Sequence, residues 1–261
     1  MNKPLIIGNW KMHGTSASSI ALANAVVTGV DADRLGSDID IVVLPPALFI
    51  PAVAECCAGH SVLLGAQNVA PVAEGACTGE LSAGMLTAAG CRYALAGHSE
   101  RRQQFAESDA LIAARVLAAL DGGLSPVLCV GETLAERDAG QAEAVIAAQL
   151  DAVFDVLPEA LPVELVVAYE PVWAIGTGLS ATPEQAQAIH AFIRACLARR
   201  AEALATATRL LYGGSVKPDT AGALLAMSDI DGLLVGGASL VADDFLAICR
   251  LAHRQAVTRV P

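Results

Sequence analysis

The chain has 261 residues and a formal net charge of −11; 54% of its residues are apolar and only 4% aromatic. That balance allows a sizeable core of Ala, Val, Leu and Ile, and it excludes a nucleic-acid binder, because phosphate backbones are met by a basic face. The seven cysteines are odd in number and lack C-x-x-C or Cys/His spacing, so neither disulfides nor a metal site are expected. The apolar run ahead of Gly8 is too short for a secretion signal. The stretch free of Asp, Glu, Lys and Arg at residues 56–73 contains His60, Gln67, Asn68 and Pro71 and does not read as a membrane span. A cytoplasmic location, with no membrane or nucleic-acid partner, is the expectation.

Along the chain one theme repeats: a short apolar run stops at Gly, Asn, Ser or charge, and an Ala-rich segment follows. The runs are Leu5–Ile7, Ile41–Leu44, Val62–Leu64, Tyr93–Ala96, Val127–Val130, Leu165–Ala168, Leu210–Tyr212 and Leu233–Val235. Most lack inside/outside alternation, as parallel strands covered on both faces do. The intervening segments carry helix signals. Thr182-Pro183-Glu184-Gln185 orders a cap, a first-turn Pro and a capping-box Gln. Ile112, Val116 and Leu120 recur at four-residue spacing after Ser108, and Gln141 to Val156 is long, Pro-free and Ala-rich. No linker divides the chain. Eight strand–helix units predict a closed (β/α)8 barrel as one domain over residues 1–261. An open doubly wound sheet is the alternative, but it lacks a Gly-x-Gly-x-x-Gly turn after the first run.

In a barrel all strand C-terminal ends face one mouth, so the residues after each run are the site candidates. They are Asn9 and Lys11, Gln67 and Asn68, His98 and Glu100, Glu132, Glu170, Gly213-Gly214-Ser215 and Gly236-Gly237. Glu170 ends the sixth run and leads into Pro171-Val172-Trp173-Ala174-Ile175-Gly176-Thr177-Gly178, an apolar flap bounded by Pro and Gly. A carboxylate beside a water-excluding flap suits proton abstraction, because loss of water raises its basicity; a strand-ending Glu in an ordinary turn is the plain alternative. The glycine pairs after the last two runs read as an anion nest or as turns needing positive φ. His98 precedes a first helical turn whose N–H groups would favour a neutral ring. Lys11 offers a charge for a phosphate and a developing oxyanion. Together these groups suit proton transfer beside the carbonyl of a small phosphorylated sugar.

Asn9-Trp10-Lys11-Met12, Gly65-Ala66-Gln67-Asn68, Thr78-Gly79-Glu80, Gly97-His98-Ser99-Glu100-Arg101-Arg102 and Ala168 to Gly178 resemble the triosephosphate isomerase family. Tyr212-Gly213-Gly214-Ser215-Val216 and Val235 to Leu240 continue the likeness, collinear over nearly the whole chain. The resemblance implies interconversion of dihydroxyacetone phosphate and glyceraldehyde 3-phosphate, a step of glycolysis and gluconeogenesis, through an enediolate and without a cofactor. It implies Glu170 as base, His98 as electrophile, and Asn9 and Lys11 as substrate contacts, with Lys11 supplying charge. It further implies Gly176, Ser215, Gly236 and Gly237 as phosphate ligands, residues 171–178 as a closing lid, and Glu100 as a partner behind the reacting groups. A homodimer through the loop 67–80 is also implied. This chain departs from the family pattern at His13, usually Asn, and at Cys77, usually aromatic; both bear on the dimer contact. A related isomerase acting on a four-carbon sugar phosphate, and a non-catalytic phosphate-binding barrel, are the rival readings.

Overall fold

The computed structural model describes residues 2–161, 163–176 and 180–258. Eight parallel strands close into a barrel in sequence order: β1 (Leu5–Asn9), β2 (Asp40–Leu44), β3 (Val62–Ala66), β4 (Cys91–Ala96), β5 (Ser125–Val130), β6 (Val166–Tyr169), β7 (Arg209–Tyr212) and β8 (Gly232–Val235). β8 pairs back onto β1, Leu5 beside Gly232 and Gly8 beside Val235, which excludes the open sheet. Each apolar run of the sequence corresponds to a strand, most of them longer by a residue or two, while Leu165 falls just before β6. Asn9 is therefore the last residue of β1 and not the first of a loop.

The helices around the barrel are α1 (Ser16–Ala32), α2 (Ile50–Cys57), α3 (Ala83–Ala88), α4 (Ser99–Gln104), α5 (Asp109–Asp121), α6 (Leu134–Asp138), α7 (Ala142–Phe154), α8 (Pro183–Arg200), α9 (Glu202–Ala207), α10 (Pro218–Leu225) and α11 (Ala242–Thr258). Their starts follow local chemistry. Thr182 accepts from the Gln185 N–H while Gln185 reaches back, with Pro183 in the first turn of α8. Ser108 caps α5, and Ile112, Val116 and Leu120 bury one face of it. None of the described helices is long and apolar enough to cross a membrane.

Strand alternation sorts the core into two layers. Leu5, Ile7, Val42, Leu44, Leu95, Val127, Cys129, Val166, Ala168, Leu211 and Leu234 fill the barrel interior. Ile6, Ile41, Val43, Leu64, Ala94, Leu128, Val167 and Leu210 pack outward with the helices. With both faces buried the strands have no polar side, which is why the sequence shows runs and not alternation.

Candidate active site

The C-terminal strand ends open into one cavity of about 700 Å³. Asn9, Lys11, His98, Glu170, Gly176, Ser215, Gly236 and Gly237 all line it. These are the residues singled out above for chemistry or phosphate. Gln67, Asn68, Glu100 and Glu132, also at strand ends, stand outside its lining.

Glu170 is almost fully buried. Its backbone N–H continues the β5–β6 ladder by donating to the Val130 carbonyl at 2.7 Å. The ends of these two strands approach so closely that a Cβ on Gly131 would sit 1.9 Å from the Glu170 carbonyl oxygen, so only glycine fits there. The Ser99 N–H, in the first turn of α4, donates to Glu170 Oε2 at 2.7 Å. Oε1 lies 3.1 Å from His98 Nε2, and this buried oxygen accepts no hydrogen bond among the described residues. A buried carboxylate oxygen without a donor is costly to hold.

His98 is the N-cap of α4, and its Nδ1 accepts the Glu100 N–H at 3.2 Å. A ring nitrogen that accepts carries no proton, so the ring proton of this arrangement sits on Nε2, facing the cavity beside Glu170. The helix start anticipated at Ser99 is thus what fixes the tautomer.

Lys11 is held in a left-handed conformation, φ 49°, by three contacts. Its N–H donates to Asn9 Oδ1 at 3.0 Å, its carbonyl accepts from Gln67 Nε2 at 2.8 Å, and its Nζ is 2.5 Å from Glu100 Oε1. Gln67 also donates to the Leu44 carbonyl at 2.9 Å, so it fastens the end of β1 to that of β2. A non-glycine residue in this region costs about 1–2 kcal/mol, which those contacts offset. Glu100 is partly buried, which alone would raise its carboxyl, but the Lys11 ammonium bonded to it holds it below the usual carboxylate range. Glu100 therefore acts on the cavity through Lys11.

The flap begins as a short turn, Val172–Ala174, of 3-10 type. Glu132, fully buried, anchors it: one oxygen accepts from Trp173 Nε1 at 2.8 Å, from the Tyr169 hydroxyl at 3.0 Å and from Arg137 at 3.2 Å. Arg137 also stacks over the Trp173 ring. Ile175 and Gly176, the latter at φ 71°, reach the cavity wall, while Thr177 and Gly178 lie outside the described residues. The opposite wall is glycine. None of Gly213, Gly214, Gly236 and Gly237 adopts positive φ, so the turn explanation for these pairs fails. A Cβ on Gly214 would instead strike the Tyr212 hydroxyl at 2.3 Å, and one on Gly213 would crowd the Glu170 side chain at 3.0 Å.

Three features escaped the sequence reading. Gln67 and Glu132 stood among the strand-end candidates, yet their roles as fasteners depend on Lys11, Tyr169 and Trp173 arriving from other strands. Cys129, one residue short of the end of β5, points into the barrel near Glu170; burial, and then the Glu170 charge, push its thiol well up, so it stays protonated. Alternation along β5, which puts Cys129 on the same face as Val127, was the signal available for it.

The sequence model of triosephosphate isomerase matches residues 4–252. The triosephosphate isomerase of Thiobacillus denitrificans is 52% identical over 254 residues, covering 97% of this chain and all of that protein. Those of Xanthomonas campestris pv. campestris and Hydrogenovibrio crunogenus are each 50% identical, over 97% and 98% of this chain and 99% and 100% of their own lengths. A cavity assembled from the motifs of that family, at the end of the barrel where such folds carry their chemistry, agrees with these likenesses across the whole match: the chain belongs to the triosephosphate isomerase family.

Proposed function

We propose that the mouth interconverts dihydroxyacetone phosphate and glyceraldehyde 3-phosphate, with Glu170 as the proton carrier. The observation that carries this reading is the state of the Glu170 carboxylate. Oε2 is fixed by the Ser99 N–H, and Oε1, without a well-aligned hydrogen bond among the described residues, is 3.1 Å from His98 Nε2. Oε1 takes the proton from the carbon beside the carbonyl. His98 Nε2–H donates to the oxygen on which negative charge develops, and the proton returns to the neighbouring carbon. Lys11 neutralises charge on the substrate, and Asn9 sits beside it. The phosphate lies against Ser215, Gly236 and Gly237, with Gly176 arriving from the flap. The flap excludes water, which would otherwise let the enediolate expel phosphate. All the chemistry derives from side chains and backbone of the chain, with no cofactor. The named relatives act on triose phosphate, which favours three carbons over four.

A coupled assay run in both directions, with triose and four-carbon phosphates side by side, tests this. Turnover of the trioses at least tenfold above the four-carbon compound, in kcat/KM, is expected (about one hydrophobic or polar contact's worth of discrimination). Absence of triose turnover overturns it.

A homodimer is part of the proposal. Met12 is 93% exposed, Leu48 84% and Met85 59%, and all follow β1, β2 or β3 on one sector of the mouth. The loop 67–80 begins at the ends of β1 and β2, where Gln67 donates to the Lys11 and Leu44 carbonyls, and its Cys77 is exposed. Apolar side chains so exposed in one sector mark a protein interface. Burial of Cys77 there gives a smaller apolar anchor than an aromatic would. Dilution should raise thiol labelling of Cys77 and lower specific activity together; a fully active monomer in sedimentation contradicts the dimer. A cytoplasmic location follows the same reading.

A further inference from the structure

Three lysines occur in the 261 residues, Lys3, Lys11 and Lys217, and two of them line the mouth cavity. Lys3 is at the far end of the barrel, 2.9 Å from Asp40. Lys11 is turned inward, with Nζ 2.5 Å from Glu100. Lys217, exposed like Lys3, differs from both in making no ion pair among the described residues. No arginine lines the cavity. Besides Glu170, its other acidic lining residues are Asp219 and Asp244, which are likewise without an ion pair among the described residues.

A phosphorylated substrate approaching this mouth meets a chain of net charge −11 and two unneutralised carboxylates on the rim. Lys11 can counter them only at the floor, and its charge is already shared with Glu100. Lys217 stands two residues after Ser215, at the foot of α10, with its N–H donating to Thr220 Oγ1 at 3.1 Å. Its backbone is therefore pinned by a capping contact while its ammonium makes no ion pair among the described residues. We propose that Lys217 is the rim cation that captures the phosphate end of the substrate and delivers it to the glycine-lined floor, a positioning residue that takes no part in the proton transfer. This rests on the isomerase reading of the site.

The effect should be electrostatic and therefore screened by salt. A unit charge about 8 Å from a dianion in water changes encounter about fivefold. Lys217→Met should lower kcat/KM about fivefold at low ionic strength, with the gap closing near 0.5 M salt, roughly where the screening length falls to a few ångströms. Lys217→Glu should lose about the square of that factor, Lys217→Arg should restore the wild-type value, and kcat and the melting midpoint should hardly move. Calorimetric titration with inorganic phosphate at low salt should show weaker binding to Lys217→Met. Wild-type turnover with an unaffected Lys217→Met variant, or a loss that persists at high salt, overturns the rim cation while leaving the isomerase reading intact. Absence of wild-type turnover, with phosphate binding still weakened in Lys217→Met, supports the rim cation and sinks the isomerase reading instead.

Discussion

At the N-terminal end of the barrel Arg209 has every side-chain nitrogen engaged. Its guanidinium grips both oxygens of Glu164 at 2.5 Å, bonds Asp40 at 2.7 Å and the Lys3 carbonyl at 3.2 Å, and donates to the Tyr93 hydroxyl at 2.9 Å. At the other end, Glu170 is more deeply buried than either of those carboxylates and keeps one oxygen bare. Both ends place charge where solvent is scarce. One satisfies it completely and the other leaves an oxygen without a hydrogen bond among the described residues. Saturation suits a plug that holds strands in register, and the unpaired oxygen suits the proton carrier proposed at Glu170.

The sharpest way to break the contrast is Glu170→Gln. The amide keeps the shape but cannot take a proton, so kcat should fall by about 10²–10⁴. The melting midpoint should hold or rise, because a bare buried charge is gone. A variant with near wild-type kcat would remove Glu170 from its role. Arg209→Met should do the reverse. Loss of one partner from a buried network costs about 3–5 kcal/mol, and the lower figure is expected because Glu164 and Asp40 reach solvent at one edge. Denaturant unfolding should register that loss while kcat per folded molecule stays unchanged; a large drop in kcat would mean that the two ends are not independent. Smaller again is Trp173→Phe, which removes the indole bond to Glu132. One hydrogen bond to a charged group corresponds to about tenfold in the anchored population of the flap. The expected signature is released inorganic phosphate accompanying a modest fall in kcat.

The smallest effect distinguishes the two ends by pH. His190 is fully buried and packs edge-on to Tyr169, near the mouth. Burial lowers its affinity for a proton below the ordinary value of 6.5. The unfolded chain then binds the proton first, so stability is full above about 6.5 and declines as pH falls below it. Asp40 is also partly buried, which opposes its charged form, yet Lys3 and Arg209 hold its carboxyl below 3.8. Its contribution is present above 3.8 and is lost only as pH falls through that depressed value. Melting curves between pH 7 and pH 5.5, roughly the window of an ordinary imidazole, should therefore decline, and His190→Gln should flatten them. An unchanged slope in that variant would clear His190.

The same contrast explains what the sequence made legible. Residues after the apolar runs converge on one mouth, and applying that rule found Asn9, Lys11, His98, Glu170, Ser215, Gly236 and Gly237 together. Applied in reverse, the rule would have found the other end, since Asp40, Glu164 and Arg209 each stand immediately before a run. They read instead as loop charges, because solvated flanking charges are the ordinary case and nothing local reveals that three strands bring them together. The fasteners Gln67 and Glu132 were hidden for the same reason: their partners are contributed by other strands. The left-handed backbone of Lys11 was hidden too, because lysine seldom adopts it and the contacts that impose it are tertiary.

The scarcity of lysine has a practical side. Reagents that couple through primary amines find three side chains on this protein, and two of them border the active-site cavity. Of those two, only Lys217 is exposed and unpaired among the described residues. Amine-directed immobilisation, fluorescent tagging or aldehyde fixation at Lys217 would thus fasten the protein near the opening through which substrate must pass, whereas coupling at Lys3 would hold it by the opposite end. Attachment chemistry aimed at carboxylates would be shared among many more sites, Asp219 and Asp244 on the rim being only two of them.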